Sequence, residues 1–174
     1  MAIGPVAASD DILLAFGRLK KAVIDSSSII YTQKAGYFAV LGKTIQLYSI
    51  PAVLSEIKAR APGVRVMRSS GSASLSTDQK LVFCALENKI AMISEDKKIL
   101  AAMHRAEAPY YNALMMLNFL LYSQKIDDDS YRKYYGVLKT IARYSDDVWE
   151  FGRQIHAAVK SNLRCGRPLG FQLF

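Results

Sequence analysis

The sequence predicts an α/β fold: a parallel sheet covered on both faces by helices, followed by a helical extension. Three observations predict it. Short apolar runs alternate with amphipathic segments through the first two thirds of the chain, which is the pattern of strand–helix–strand units. The first run, at 22–24, is wholly apolar, as in a strand buried on both sides. Beyond residue 112 only helical periodicity remains.

The elements follow in order. Ser9 opens a helix to about residue 20, with Ile12, Leu13, Phe16 and Leu19 on one face. Residues 22–25 form a first strand, stopped by Asp25 and three serines. Residues 29–41 read as a helix broken near Gly36, and 44–48 as a second strand. Ser49, Ile50 and Pro51 start a helix that runs through Glu56 to about Arg60, with the proline in the first turn where its missing N–H costs nothing. After the Pro62–Gly63 turn comes a third strand at 64–67, then a Ser/Gly-rich loop over 69–76. Ser76 and Gln79 make a capping box for a helix to about residue 88. A fourth strand at 90–93 leads into a helix over 95–104.

The C-terminal part is helical. Residues 112–123 form one apolar helix. Asp127 opens a second, with Tyr131, Tyr134, Leu138 and Ile141 in a stripe, and Ser145 a third, with Val148, Gly152, Ile155 and Val159 in step. From Arg164 onward the chain reads as loosely ordered. The organisation expected is an α/β domain over 1–126, including the N-terminal helix, and a helical extension over 127–174.

Composition narrows the function. Of 174 residues 51% are hydrophobic and 22% charged, so the chain is globular rather than disordered. The formal charge of +8 favours an anionic partner: nucleic acid, an anionic membrane or an acidic protein. Two cysteines provide neither a disulfide framework nor zinc spacing. The first residues lack a basic region ahead of an apolar run, and the apolar stretch at 113–122 is too short to span a bilayer. The expectation is a cytoplasmic protein with no membrane partner.

Four acids carry the chemistry. Asp25 ends the first strand and Asp96 follows the fourth, at the edge of a parallel sheet where ligands bind. Asp78 and Glu56 fall in early turns of their helices. Steps of three, four and seven residues from Asp78 reach Leu81, Val82 and Ala85, and from Asp96 they reach Ile99, Leu100 and Met103. Both aspartates thus extend an apolar stripe, a costly place for a carboxylate without a partner. Taken singly, each acid near a helix start is an ordinary capping residue. Four at one sheet edge would repel one another unless a cation is shared, and all-oxygen ligation suits Mg²⁺ or Mn²⁺. Other chemistries lack their motifs: there is no phosphate loop, no GxGxxG, no GxSxG elbow, and neither histidine stands as a base for Ser26, Ser27 and Ser28.

The segments KAVIDSSSII, SIPAVLSEIK, LSTDQKLVFCALEN and IAMISEDKKIL, in this order and context, resemble the signature blocks of PIN-domain ribonucleases. The resemblance extends from about residue 21 to 121. It implies a three-layer α/β/α sandwich with a central parallel sheet. It also implies catalytic and metal-binding roles for Asp25, Glu56, Asp78 and Asp96, with Ser94 and Ser26 supporting the acids. Some family members are toxins of toxin–antitoxin pairs, so a VapC-like toxin with an antitoxin partner is one form of this reading.

The function expected is therefore metal-dependent hydrolysis of RNA phosphodiester bonds. Lys97 and Lys98, beside Asp96, and Arg65 and Arg68, at the third strand, are the candidates to hold the RNA backbone. The alternative is a PIN-like module that binds RNA or protein with little or no nuclease activity; a DNA nuclease of the flap-endonuclease type is a third reading. A homodimer is expected through the apolar helix at 112–122.

Overall fold

The computed structural model describes residues 9–57, 60–71 and 73–166. Its contacts divide the chain into two compact units, one of residues 20–113 and one of the residues up to 19 together with those from 114 onward.

The first unit is built on a five-stranded sheet in the order β3-β2-β1-β4-β5. The strands are β1 (Lys21–Ile24), β2 (Gln46–Ser49), β3 (Val64–Val66), β4 (Ala91–Ile93) and β5 (Tyr110–Tyr111). Every neighbouring pair is parallel. The fold is α/β with this parallel sheet flanked by helices, as expected. β1 lies in the centre, with Val23 paired to Tyr48 on one side and Met92 on the other. Ala22, Val23 and Ile24 are accordingly inaccessible to solvent, which is why this run carries no polar alternation.

The connecting helices are α2 (Ser26–Ala35), α3 (Phe38–Thr44), α4 (Pro51–Glu56), α5 (Thr77–Glu87) and α6 (Lys97–Arg105). The expected break at Gly36 is there. Gly36 takes φ 99° and its N–H donates to Gln33 O, while Tyr37 N–H donates to Thr32 O, a Schellman closure that needs a residue at ease in the left-handed region. Tyr37, fully buried, then donates its hydroxyl to Ala113 O at 2.7 Å.

Three boundaries and one strand differ from expectation. α2 begins at Ser26 because Asp25 caps it. Thr44 ends α3 instead of opening β2, since its hydroxyl bonds Val40 O one turn back. α4 stops at Glu56 after six residues, so Glu56 closes its helix rather than lying in an early turn; Lys58 and Ala59 lie outside the described residues. The two-residue β5 was not expected, because nothing marks it except its pairing with β4.

The second unit contains α1 (Ser9–Arg18), α7 (Ala113–Tyr122) from its second residue on, α8 (Asp128–Ile141) and α9 (Asp146–Arg164). α1 packs on α9, and Phe16 meets Phe119 edge-on with ring centroids 5.6 Å apart. α7 is apolar all round and buried along its whole length, as such a helix must be. It therefore offers no surface for the homodimer expected there. Asn118, its one polar interruption, is satisfied: its amide donates to Leu114 O and Gly152 O, and its carbonyl accepts from Tyr131 Oη at 3.0 Å. Asp127 caps α8 through Ser130 N. Residues 167–174, most of the segment expected to be loosely ordered, are outside the described residues.

Candidate functional site

In a parallel sheet ordered 3-2-1-4-5 the chain direction of growth reverses at β1, with β2 and β3 on one side and β4 and β5 on the other. Ligand crevices of open α/β sheets form beyond the carboxyl ends of the strands at such a switch point, here between β1 and β4. The residues that leave those two ends are Asp25 with Ser26–Ser28, and Ser94 with Glu95 and Asp96.

Asp25 is the most buried of the expected acids, 4% exposed. Its backbone N–H donates to Ile93 O at 3.1 Å, which carries the β1–β4 pairing one step past β1. Its side chain accepts from Ser28 N at 2.7 Å, from Ser27 Oγ at 2.9 Å, and from Ser94 Oγ in a short bond. Three donors on one carboxylate offset the cost of burying it. They also leave about one of its roughly four acceptor positions open.

The three serines after Asp25 each serve a different acid. Ser27 donates to Asp25, Ser28 Oγ donates to Glu95 Oε1 at 2.9 Å, and Ser26 Oγ reaches Glu56 Oε2 at 3.4 Å. α4 and the start of α2 are thereby linked through Ser26 even though Glu56 ends its helix. Ser94, buried, donates to Asp25 and accepts Asp96 N at 3.0 Å. Of the two serines expected to support the acids, Ser94 bonds Asp25 and the Asp96 N–H, and Ser26 bonds Glu56.

Asp96 caps α6: its Oδ1 accepts Lys98 N at 2.6 Å and Ile99 N at 3.2 Å. The apolar stripe below it holds, with Ile99 and Met103 buried, but Asp96 itself is exposed. The helix N-terminus is what pairs with it. Asp78 is likewise exposed above buried Leu81 and Ala85. The Ser76–Gln79 capping box, bonded in both directions, positions its turn. Because α5 carries the chain from β3 to β4, its first turn lies at the carboxyl edge of the sheet. No hydrogen bond or ion pair among the described residues joins Asp78 to Asp25, Glu56 or Asp96, and no three acidic, histidine or cysteine side chains among them are grouped as a ready-made ion site.

Lys97 and Lys98 are the first two residues of α6 and both are exposed. A helix N-terminus favours anions, so two cations there are placed against the dipole. Arg65 is exposed in the edge strand β3 and Arg68 just beyond it. None of these four forms an ion pair among the described residues.

Sequence reasoning missed Glu95. Its Oε1 accepts both Ser28 Oγ and Ala113 N, at 2.9 and 2.8 Å, and so ties the start of α2 to Ala113, the last residue of this unit. The signal was present as two adjacent acids after the fourth strand, of which only the second was taken up. Tyr111, the residue of β5 paired with Ile93, is buried, and burial pushes its hydroxyl up to about 12.

The donors collected at the switch point are all oxygen, from Asp, Glu and Ser side chains, which is the chemistry of a hard divalent cation. Compared with family models, with curated proteins and with solved structures, the chain matches none.

Proposed function

We propose that the chain is a metal-dependent endoribonuclease of the PIN-domain type. One observation carries the reading: a buried, hydrogen-bonded Asp25 leaves β1 at the sheet's switch point, beside Ser94 and Asp96 leaving β4. Asp25 and Asp96 would hold Mg²⁺ or Mn²⁺ directly, and Glu56 and Asp78 would complete the set or orient its water. When bound, the cation supplies charge stabilisation to the phosphoryl group and activates water. The chain's own residues do the rest. Ser27, Ser28 and Ser94 hold the Asp25 carboxylate in one orientation. Lys97 and Lys98, set against the α6 dipole, attract the RNA phosphates, with Arg65 and Arg68 extending the contact.

A second reading, a PIN-like module that binds RNA without cutting it, is favoured by the capping roles of Asp25 and Asp96, each of which is complete without a cation. One experiment separates the two. A mixed RNA pool is incubated with the parent and with Asp25→Asn in Mg²⁺ or Mn²⁺, and both proteins are melted in chelator. The parent should cut and the variant should not. Relief of repulsion would leave the variant at least as stable. The neighbours of Asp25 are donors, however, so we expect a loss of about 1–2 kcal/mol. A variant that cuts as fast as the parent removes Asp25 from the site. A parent that binds RNA but cuts nothing with any divalent cation establishes the second reading.

A further inference from the structure

α5 is apolar on two sides. Its inner side, Leu81, Cys84 and Ala85, is buried where the helix packs on β1, β4 and α6. Its outer side carries Phe83, 41% exposed, and Leu86, 36% exposed, about one turn apart, with half-buried Val82 beside them. A surface helix ordinarily turns polar residues outward, and a helix that is apolar all round is covered on both sides. A single exposed apolar side chain needs no explanation. Here two adjoin on the side that faces away from the sheet.

The charges around this patch are the second observation. At 3.6 residues per turn, Gln79, Lys80, Leu86 and Glu87 all lie within about 60° of Phe83 around the helix. Lys80 and Glu87 fall on the same side of it, two turns and about 10 Å apart, too far to pair with each other. Neither forms an ion pair among the described residues. Ser70 Oγ donates to Glu87 Oε1, which holds the carboxylate at the rim of the patch and leaves its charge. Phe83 lies almost midway between the two charges. When a second α5 is laid antiparallel on the first, with a two-fold axis beside Phe83, Lys80 of each copy comes level with Glu87 of the other, on the same side of the contact. The stripe is therefore self-complementary, as a two-fold interface requires. The two Phe83 rings and Leu86 fall at its centre and the charges at its rim, which is the usual anatomy of a specific interface.

We infer that the outer face of α5 binds a second copy of this chain, antiparallel about a two-fold axis at Phe83, with Lys80 of each copy paired to Glu87 of the other. A wholly acidic or wholly basic partner would match only one of the two charges, whereas a second copy matches both. One short helix from each copy makes a contact at the small end of specific interfaces, so the dimer dissociates on dilution. The contact leaves the buried α7 untouched and does not depend on the chemistry of the acids at the sheet edge.

The test is sedimentation equilibrium of the full chain from about 1 μM to about 1 mM. The parent should pass from monomer to dimer over that range and no further, since a two-fold contact closes on itself. Lys80→Glu and Glu87→Lys each set like charges opposite one another twice per dimer, and each should weaken the dimer at least about tenfold. Mixed together, the two variants should form a mixed dimer of near-parental affinity. One of its ion pairs is that of the parent and the other has its signs exchanged. Damage to the fold of either variant could not produce this recovery. Phe83→Ser should stay monomeric across the range while still unfolding cooperatively. The inference is overturned if the parent stays monomeric throughout or grows beyond a dimer, or if either charge variant or Phe83→Ser dimerises as the parent does. It is also overturned if the two charge variants do not associate when mixed.

Discussion

The hydroxyl of Ser28 donates to Glu95 Oε1 at 2.9 Å, while the backbone N–H of Ser28 donates to Asp25 Oδ1 at 2.7 Å. One residue thus connects the carboxylate that leaves β1 to one that leaves β4. The same Glu95 oxygen accepts the N–H of Ala113, the last residue of the unit.

This arrangement makes Glu95 a positioning residue. Glu95→Gln retains an acceptor oxygen for both donors and should keep RNA cleavage near that of the parent. Glu95→Ala leaves the Ser28 hydroxyl and the Ala113 N–H unpaired, which costs about 1–3 kcal/mol, and cleavage should fall with kcat rather than KM. Equal loss in both variants would instead show that the charge itself matters, and Glu95 would join the acids at the site.

Asp78 and Asp96 differ in what they hold up. Asp96→Ala removes a helix cap and should cost about 1 kcal/mol in thermal unfolding. Asp78→Asn changes an exposed side chain with no hydrogen bond among the described residues, and should leave stability within about 0.5 kcal/mol. Its cleavage should nevertheless drop if Asp78 joins the acidic set once a cation and RNA are present. Unchanged cleavage would remove Asp78 from it.

Two glycines of the helical unit should respond in opposite directions to alanine. At Gly152, buried in α9, a Cβ would fall on the Leu114 side chain, 3.0 Å from Cγ and nearer still to Cδ2. Overpacking costs about 1–3 kcal/mol, so Gly152→Ala should lower the melting temperature despite its better helix propensity. Gly136→Ala meets open space and should stabilise by about 0.5–1 kcal/mol. Shifts of the same sign in both would refute the packing account.

His156 couples stability to pH. It stacks on Tyr131 at 4.4 Å and 15°. Burial holds its ring below the ordinary value near 6.5, with Lys160 and Arg132 adding to the shift and Asp128 opposing it. A histidine harder to protonate in the fold than in the unfolded chain contributes stability above about pH 6.5 and loses it as pH falls. The parent should therefore melt at a lower temperature at about pH 5.5 than at about pH 7.5, and His156→Phe, which keeps a ring for the stack, should flatten that difference. The carboxylates lowered in this unit, Asp127, Asp128 and Glu150, lose their contributions in a more acidic range. An unchanged pH dependence in the variant would place the effect elsewhere.

Local pattern was enough for much of the architecture. The unbroken apolar run at 22–24 required a strand buried on both faces, Gly36 required a helix end, and Ser76 with Gln79 required a helix start, because each is decided by residues within a turn or two. The same reasoning placed Asp25, Ser94 and Asp96 where strands end, and Ser94 Oγ bonds both the Asp25 carboxylate and the Asp96 N–H. What the sequence could not determine depends on partners distant along the chain. β5 exists only through its pairing with β4. α4 ends at Glu56, yet Glu56 still reaches Ser26, thirty positions away. The alignment of Asp96 with an apolar stripe implied burial, but the side chain turns to its own helix N-terminus and stays exposed. Glu95 was hidden because its function rests on Ser28 and Ala113, 67 and 18 positions away along the chain. Periodicity reports which face of an element is apolar; only tertiary structure decides which polar groups find each other across elements, since each buried donor or acceptor is satisfied by whatever the fold brings within reach.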